Sequence, residues 1–225
     1  QEGAHHPEMS DLFIDCLYTL RRTAVCVGCH ELHSTTPVAG TGVALKGPPA
    51  TLTPPPWGAD FRDVTPEVWH EYLSEGLVSP AEFVRATVDG MAERGFGRIV
   101  NIATGAAKFP ADVRILSGPP RSALANYTVA VSKLMARHNV TMNTLLPGFH
   151  HTAAAEEQFN RIAAKRGTSC GEEIDRAVER FGIPAGRFGD PDDFGAICAL
   201  FCSRYANYIV GQSLVVDGGI TTSIF

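Results

Sequence analysis

The sequence predicts an α/β protein built around a parallel sheet, and three observations support this prediction. From Val64 onward, long amphipathic stretches alternate with short β-branched stretches, as they do in repeated βαβ units. The run from Gly97 to Thr104 has the character of a buried strand. The chain has 225 residues, of which 44% are hydrophobic and 19% charged, so one sizeable core can form. We therefore expect one compact domain.

The first predicted elements are two helices on either side of the strand 97–104. The first helix runs from Val68 to Arg94, with a bend near Pro80. The second runs from Pro120 to His138, because a proline suits a first helical turn and one face is apolar. The predicted apolar face consists of Leu124, Tyr127, Val131, Leu134 and Met135.

The remaining elements complete the alternation. A second strand is predicted from Val140 to Leu146, ended by Pro147 and Gly148, and a helical excursion from Ala153 to Arg180. A helix from Pro191 to Ser203 and a strand from Ser213 to Val216 close the chain. The predicted core therefore extends over residues 59–225.

Residues 1–58 differ in composition from the rest of the chain and are expected to form a remodelled N-terminal segment of the same domain. They hold half of the histidines and three of the six cysteines. Asp11 to Arg22 shows helical spacing, and 23–28 is compatible with a buried strand. Proline, glycine and threonine between 34 and 57 favour loop, with a possible short strand at 42–45.

Charge and composition restrict the partners. With a net charge of −5, the chain lacks the excess of positive charge that attracts nucleic acid or an anionic bilayer surface. No apolar run approaches the ~20 residues of a membrane-spanning helix. Six cysteines in a chain of this length favour reduced thiols and a cytoplasmic location. We expect a small-molecule substrate, with neither a nucleic-acid nor a membrane partner.

Three groups of motifs occur in a fixed order over some 160 residues. They are Gly97-Arg-Ile-Val-Asn-Ile-Ala-Thr104; Asn139-Val-Thr-Met-Asn143 followed by Leu-Leu-Pro147-Gly148; and Gly186-Arg-Phe-Gly189-Asp-Pro191 with Gly211-Gln212 and Asp217-Gly218-Gly219. Together they resemble the short-chain dehydrogenase/reductase (SDR) family. The resemblance implies a Rossmann-like, doubly wound parallel sheet and NAD(P)-linked carbonyl or alcohol chemistry similar to that of 3-oxoacyl reductases. It also implies a homodimer or homotetramer.

The resemblance implies three catalytic positions, and all three carry residues that differ from the usual serine, tyrosine and lysine. Thr104 stands where the family has a serine that polarises the carbonyl, and its hydroxyl can still donate a hydrogen bond. Ser117 replaces the catalytic tyrosine, although an aliphatic hydroxyl is a poor general acid. Arg121 replaces the lysine and keeps its charge but relays no proton. The stretch 117–121 is similar to the Ser-Asn-Gly-Ala-Arg of one subgroup of the family.

The resemblance also implies a nicotinamide contact but no phosphate loop. Pro147, Gly148 and Thr152 match the family pattern that contacts the nicotinamide, so NAD or NADP is the implied cofactor. No Thr-Gly-x-x-x-Gly-x-Gly turn occurs, and the first two βα units are expected to be truncated or remodelled. The family's relay asparagine falls near Gly76. Tyr127 and Lys133 are six residues apart, so they lie on different helix faces and do not replace the missing pair.

Two other functions remain open at this stage. One is a cofactor-independent, SDR-derived enzyme of dehydratase or lyase type, with His150 or His151 as general base and Arg121 binding an anion. The other is a non-catalytic SDR-fold protein whose helices 68–94 and 120–138 form an oligomer interface.

A cysteine cluster near the N-terminus raises the question of a metal. Cys26-Val-Gly-Cys29-His30 fits the pattern for covalent haem attachment, and with His33 the cluster could bind zinc. There is no second Cys-x-x-Cys, and cysteines at a buried strand end are a more common finding. We therefore expect neither haem nor a metal site.

Overall fold

The computed structural model describes residues 60–222, so residues 1–58, with their predicted elements and cysteine cluster, lie outside the described part of the chain. The helices longer than one turn are α1 (Pro66–Leu73), α2 (Ser79–Glu93), α3 (Gly118–Met135), α4 (Ala153–Arg166), α5 (Cys170–Phe181) and α6 (Pro191–Cys202). The strands are β1 (Gly97–Ile102), β2 (Val140–Pro147) and β3 (Ser213–Val216). This succession confirms the predicted α/β class.

The three strands found between residues 60 and 222 form a parallel sheet in the order β1-β2-β3. Gly97 pairs with Val140, and the register continues to the pair Ile102 and Leu145. β3 joins the other edge of β2, where Pro147 pairs with Val216. All three strands therefore end at the same edge of the sheet, which we call the carboxyl edge.

Helices cover both faces of the sheet, which confirms the doubly wound arrangement for the described residues. On one face Ile99 and Met142 pack with Val84 and Met91 of α2. On the other face Val100 and Leu145 pack against α6 in a cluster that also holds Phe194, Cys198, Phe201 and Cys202. Each face thus buries alternate residues of the strands. None of the described helices has both the length and the apolar character that crossing a membrane requires.

The predicted helix 68–94 is found, but it is interrupted rather than simply bent. A π-helical segment, Ser74–Val78, joins α1 to α2, and Pro80 lies in the first turn of α2. π-Helical turns are rare and widen the helix by one residue per turn. The irregularity lies just before the proline that the sequence indicated.

Helix α3 starts two residues earlier than predicted, and its buried face differs from the predicted one. The fully buried side chains are Leu124, Thr128 and Ser132, at intervals of four residues. Leu134 was predicted to be buried, but it is 69% exposed. Polar groups occupy the buried stripe because the sheet offers them partners there: the Asn101 amide donates to Thr128 Oγ1 (2.8 Å).

The predicted excursion 153–180 consists of two helices separated by Gly167, which has a φ of 68°. Ser169 begins α5 with a reciprocal capping box to Glu172. Behind this turn, the buried carboxylate of Glu173 accepts hydrogen bonds from Thr168 Oγ1 (2.7 Å) and Arg166 Nη1 (2.8 Å), and also from Arg176. The Thr168 bond is the main reason why the pKa of Glu173 lies below its ordinary value. The helices α4 and α5 therefore form a hairpin whose turn is stabilised by the hydrogen bonds to Glu173. We call it the α4–α5 hairpin.

The amino edge of the sheet is fixed by a buried arginine. Arg98 has no exposed surface, and its guanidinium donates to the carbonyl oxygens of Ser203 (3.0 Å), Gly97 (2.7 Å) and Asn139 (2.8 Å). Burial lowers the pKa of Arg98. This one side chain ties the start of β1 to the residues that follow α6 and precede β2.

Candidate active site

The turn that follows β1 lies at the carboxyl edge, where ligands bind in doubly wound sheets. Thr104 begins a 3-10 turn (Gly105–Ala107), and its hydroxyl accepts a weak hydrogen bond from Ala106 N (3.4 Å). A Cβ added at Gly105 would have only the Pro147 carbonyl oxygen within 4 Å, at 3.9 Å. Thr104 and Pro147 are thus brought to neighbouring positions, with open space above Gly105.

The start of α3 packs directly on this turn. A Cβ at Gly118 would lie 2.9 Å from the Ala106 carbonyl oxygen, so only glycine allows this approach. The Ser122 hydroxyl donates to the Ala107 carbonyl (2.6 Å). Ser117, which immediately precedes Gly118, is consequently held close to the Thr104 turn.

Ser117 is buried, with 6% of its surface exposed, and both of its backbone groups bind arginines. Its carbonyl accepts a hydrogen bond from Arg121 Nη1 (3.0 Å), one helical turn later. Its N–H donates to the carbonyl of Arg114 (3.0 Å). Burial lowers the pKa of Arg114. The structure therefore groups Thr104, Ser117 and Arg121 around the start of α3.

At the end of β2, Gly148 is pressed against Asp217. A Cβ at Gly148 would lie 2.6 Å from Asp217 Cβ and 2.7 Å from its Cα. The Gly148 N–H donates to the Val216 carbonyl (2.9 Å), which continues the pairing of β2 with β3. The Asp217 carboxylate accepts from the N–H of Gly219 and Thr221 (2.9 Å each). The Pro147-Gly148 turn is therefore locked to the chain after β3.

Thr152 caps the first helix of the α4–α5 hairpin. Its hydroxyl accepts a hydrogen bond from Ala155 N (3.2 Å). A capping hydroxyl that only accepts still has a proton to donate to a ligand. Pro147, Gly148 and Thr152 are therefore positioned by successive elements, the end of β2 and the start of α4.

The two histidines between these elements differ in environment. The ring of His150 packs edge-on against Phe194 (5.1 Å between centroids), and its Nε2 would be 2.8 Å from a Cβ at Gly189. Its Nδ1 lies 3.4 Å from the Gly148 carbonyl oxygen. Burial lowers the pKa of His150, against the opposing effect of Gly148, Asp190 and Asp193. His150 thus has a packing role, whereas His151 is exposed.

An aromatic cluster beside Gly148 was missed in the sequence. Phe149 stacks on Phe181 (4.5 Å between centroids) and on Phe188 (5.5 Å), and Phe159 meets Phe188 edge-on (5.5 Å). These rings anchor the α4–α5 hairpin to the residue that follows Gly148. The available signal was a phenylalanine directly after the Pro-Gly turn.

Comparison with known proteins identifies the family. Residues 50–221 match the family model described as enoyl-(acyl carrier protein) reductase.

The chain belongs to the short-chain dehydrogenase/reductase family.

Individual relatives agree with this assignment. The chain is 32% identical to the NADPH-dependent reductase BacG of Bacillus subtilis over 152 residues, which cover 68% of this chain and 58% of BacG. It is 29% identical to human dehydrogenase/reductase SDR family member 4, over 73% of this chain and 55% of the human protein. The L-sorbose reductase of Gluconobacter frateurii, solved with NADPH and L-sorbose, superposes with a TM-score of 0.69 at 22% identity, over 73% of this chain and 62% of the reductase. The chain therefore spans little more than half the length of these relatives.

The altered positions of this SDR chain are physically linked. A Cβ at Gly76, in the π-helical segment, would lie 2.6 Å from Cβ of Pro120. An asparagine, which the family carries near this position, could not fit beside that proline without displacing α3. Gly76 and Pro120 are therefore linked through packing.

Tyr127 does not take the place of the SDR tyrosine. It lies ten residues after Ser117 on the same helix, about 15 Å along its axis. Its ring packs against the cluster of Val84 and Met91, and burial, together with Glu82, raises its pKa. Lys133 is exposed. Tyr127 therefore belongs to the packed face of α3, as predicted, and Lys133 lies on a different face.

The described residues fit the nicotinamide end of a dinucleotide. The hydroxyls of Thr104 and Thr152 keep donor protons, and the space above Gly105 is open at the carboxyl edge. The donor set suits an amide and a carbonyl, which accept such hydrogen bonds. Residues 1–58, where the family's phosphate loop would occur, lie outside the described part of the chain.

Proposed function

We propose that the protein is an NAD(P)-linked oxidoreductase that interconverts a carbonyl and an alcohol on a small molecule. The observation that carries the proposal is the meeting of two groups of side chains at the carboxyl edge. Thr104, Ser117 and Arg121 come from β1 and α3, and the Pro147-Gly148 turn reaches the same edge from β2. The NADPH named for the Bacillus and Gluconobacter relatives supports this choice of cofactor.

Each residue has a distinct part in this proposal. Pro147, Gly148 and Thr152 would hold the nicotinamide, with the Thr152 hydroxyl donating to its amide. A bound nicotinamide supplies the hydride. Thr104 donates a hydrogen bond that polarises the substrate carbonyl, while Ser117 and Arg121 line the pocket beside it. Neither of these two residues is a general acid near neutral pH, so the hydroxyl proton comes from solvent.

Ligand-dependent stability tests this function. The full chain is heated with increasing NADH or NADPH, and a ligand at a hundred times its Kd adds about 2.7 kcal/mol of stability. For a protein of this size that corresponds to a rise in Tm of roughly 5 to 11 °C. Adenosine diphosphate ribose, which lacks the nicotinamide, is the matched control for contacts at 147–152. No response to either reduced nucleotide would refute the proposal.

In the alternative of a cofactor-independent lyase, only one of the two candidate general bases, His150 and His151, is accessible to a substrate. His150 is packed against Phe194 and Gly189, whereas His151 is exposed. Lyase activity without nucleotide that vanishes in His151→Gln would favour that alternative.

We also propose a homodimer or homotetramer formed through α2 and α3, in the cytoplasm. Leu134 on α3 is 69% exposed and Val78, which directly precedes α2, is 51% exposed, and such exposed apolar side chains suit a contact with a second copy. Leu134→Asp should lower the mass measured by light scattering, while Tyr208→Asp, at an exposed site after α6, should not. The opposite result would exclude this interface. The free thiol of Cys170 supports the proposed location.

A further inference from the structure

A row of three polar side chains crosses the described sheet on the face that α3 covers. Asn101 of β1 is the register partner of Thr144 in β2, and Thr144 is the register partner of Ser213 in β3. Register partners in a parallel sheet point to the same face from strands about 4.8 Å apart. Asn101 and Thr144 have no exposed surface, whereas Ser213 is half-buried. The row therefore runs from the interior towards the solvent at β3.

The hydrogen bonds of Asn101 define which of its amide atoms is left over. Its Nδ2 donates to Thr128 Oγ1 (2.8 Å), and the Thr128 hydroxyl donates to the Leu124 carbonyl (2.8 Å). Because the Thr128 proton goes to Leu124, the Thr128 oxygen acts as an acceptor and the amide nitrogen must face it. Asn101 Oδ1 then has no hydrogen-bond partner within the described part of the chain, and neither has Thr144 Oγ1.

Two neighbouring buried oxygens without partners call for a ligand. Buried polar atoms are rarely left unpaired, because each unmade hydrogen bond costs about 1–3 kcal/mol. Asn101 Oδ1 only accepts, whereas the Thr144 hydroxyl both donates and accepts. A water molecule with two hydrogen bonds of ordinary length joins oxygens up to roughly 5.6 Å apart, which is comparable with the strand spacing. A metal ion fits poorly, because the row carries no charge and hard cations take about six or more oxygen ligands.

We propose that Asn101 and Thr144 form a binding site for one internal water molecule that connects the sheet to α3. The water donates to Asn101 Oδ1 and accepts from the Thr144 hydroxyl, and the Asn101 amide continues the connection to Thr128. Internal waters typically satisfy buried polar groups in this way. The short side chains in this layer leave more room than Leu124 and Met142, which fill the core beside it. The site is independent of the proposed redox function.

A crystal structure of the full chain, at a resolution that shows ordered solvent, tests the site directly. We expect one solvent peak about 2.6–3.2 Å from both Asn101 Oδ1 and Thr144 Oγ1. A direct hydrogen bond between these two oxygens, or a gap between them without solvent density, would overturn the proposal. This outcome depends on the wild type alone, so it stands even if a variant folds poorly.

Two threonines of β2 provide a variant and its matched control. Thr144→Val keeps the shape of the side chain but removes the hydroxyl, so the water should be lost. Thr141 is also buried with an unpartnered hydroxyl, but it is the register partner of Arg98 and faces the other side of the sheet. The water should therefore remain in crystals of Thr141→Val. Water that persists in Thr144→Val, or disappears in Thr141→Val, would contradict a site formed by Asn101 and Thr144.

The same comparison can be made in solution. Oxygen-17 magnetic relaxation dispersion counts internal waters that exchange slowly with solvent, and Thr144→Val should contain one fewer than the wild type. An equal count in the two proteins would exclude Thr144 as a ligand of the water.

Discussion

Gly148 and Gly105 give a matched test of how tightly the carboxyl edge is packed. An added Cβ at Gly148 would lie 2.6 Å from Asp217 Cβ, 2.7 Å from its Cα and 3.3 Å from its carbonyl oxygen. These backbone atoms cannot move without separating β3 from β2, and overpacking of this kind costs about 1–3 kcal/mol. At Gly105 the nearest atom would be 3.9 Å away, so alanine should cost less than about 0.5 kcal/mol.

The assay is urea denaturation of Gly148→Ala and Gly105→Ala beside the wild type, with thermal melting as a second measure. About 1–3 kcal/mol corresponds to a fall in Tm of roughly 2–12 °C for a chain of this length. Gly148→Ala should also weaken NADPH binding, because it shifts the proposed nicotinamide contact. If the two variants were equally stable, the close approach of Gly148 to Asp217 would not limit packing and the reasoning would fail.

Two further substitutions test the buried charges. Arg98→Met should destabilise the protein by about 3–5 kcal/mol in urea, because the carbonyls of Ser203 and Asn139 lose a buried charged donor; a change below 1 kcal/mol would contradict this role. For Glu173→Gln the effect depends on pH, because the folded-state pKa of Glu173 lies below its ordinary value of 4.5. A lowered carboxyl pKa stabilises the folded state above pH 4.5, and this contribution is lost as pH falls through the folded-state pKa. The stability gap between wild type and Glu173→Gln should therefore be full at pH 7 and close in acid; a gap that is constant with pH would exclude this origin.

The arrangement of strands and helices could be predicted because it depends on local apolar pattern. β1 and β2 are nearly continuous buried runs, and α6 starts at a proline after the capping Asp190. The π-helical segment could not be predicted from local spacing, and Gly76 within it packs closely on Pro120, 44 residues later in the sequence. The break between the two helices at Gly167 could have been predicted, since the capping pair Ser169 and Glu172 is visible in the sequence.

The buried stripe of α3 shows why apolar spacing alone was misleading. Thr128 and Ser132 are buried because Asn101 and the backbone N–H of Met142 bind their hydroxyls, and such partners come from distant strands. Leu134 was predicted to lie on the buried face because it is hydrophobic, but it is exposed. Among the candidate site residues, Thr104, Ser117 and Arg121 could be located by motif spacing. Ser117 makes no capping hydrogen bond to α3, and this was predictable in principle from Pro119 and Pro120, which have no N–H.

The proline pair at the start of α3 has a consequence for how this position can change. Pro119 and Pro120 fix two successive backbone angles by covalent geometry, so the helix can begin without help from residue 117. Exchange of that serine for another small residue should alter ligand preference with little loss of folding stability. In the proposed pocket, position 117 is therefore a place where substitution can change the specificity of this protein with little effect on the start of α3.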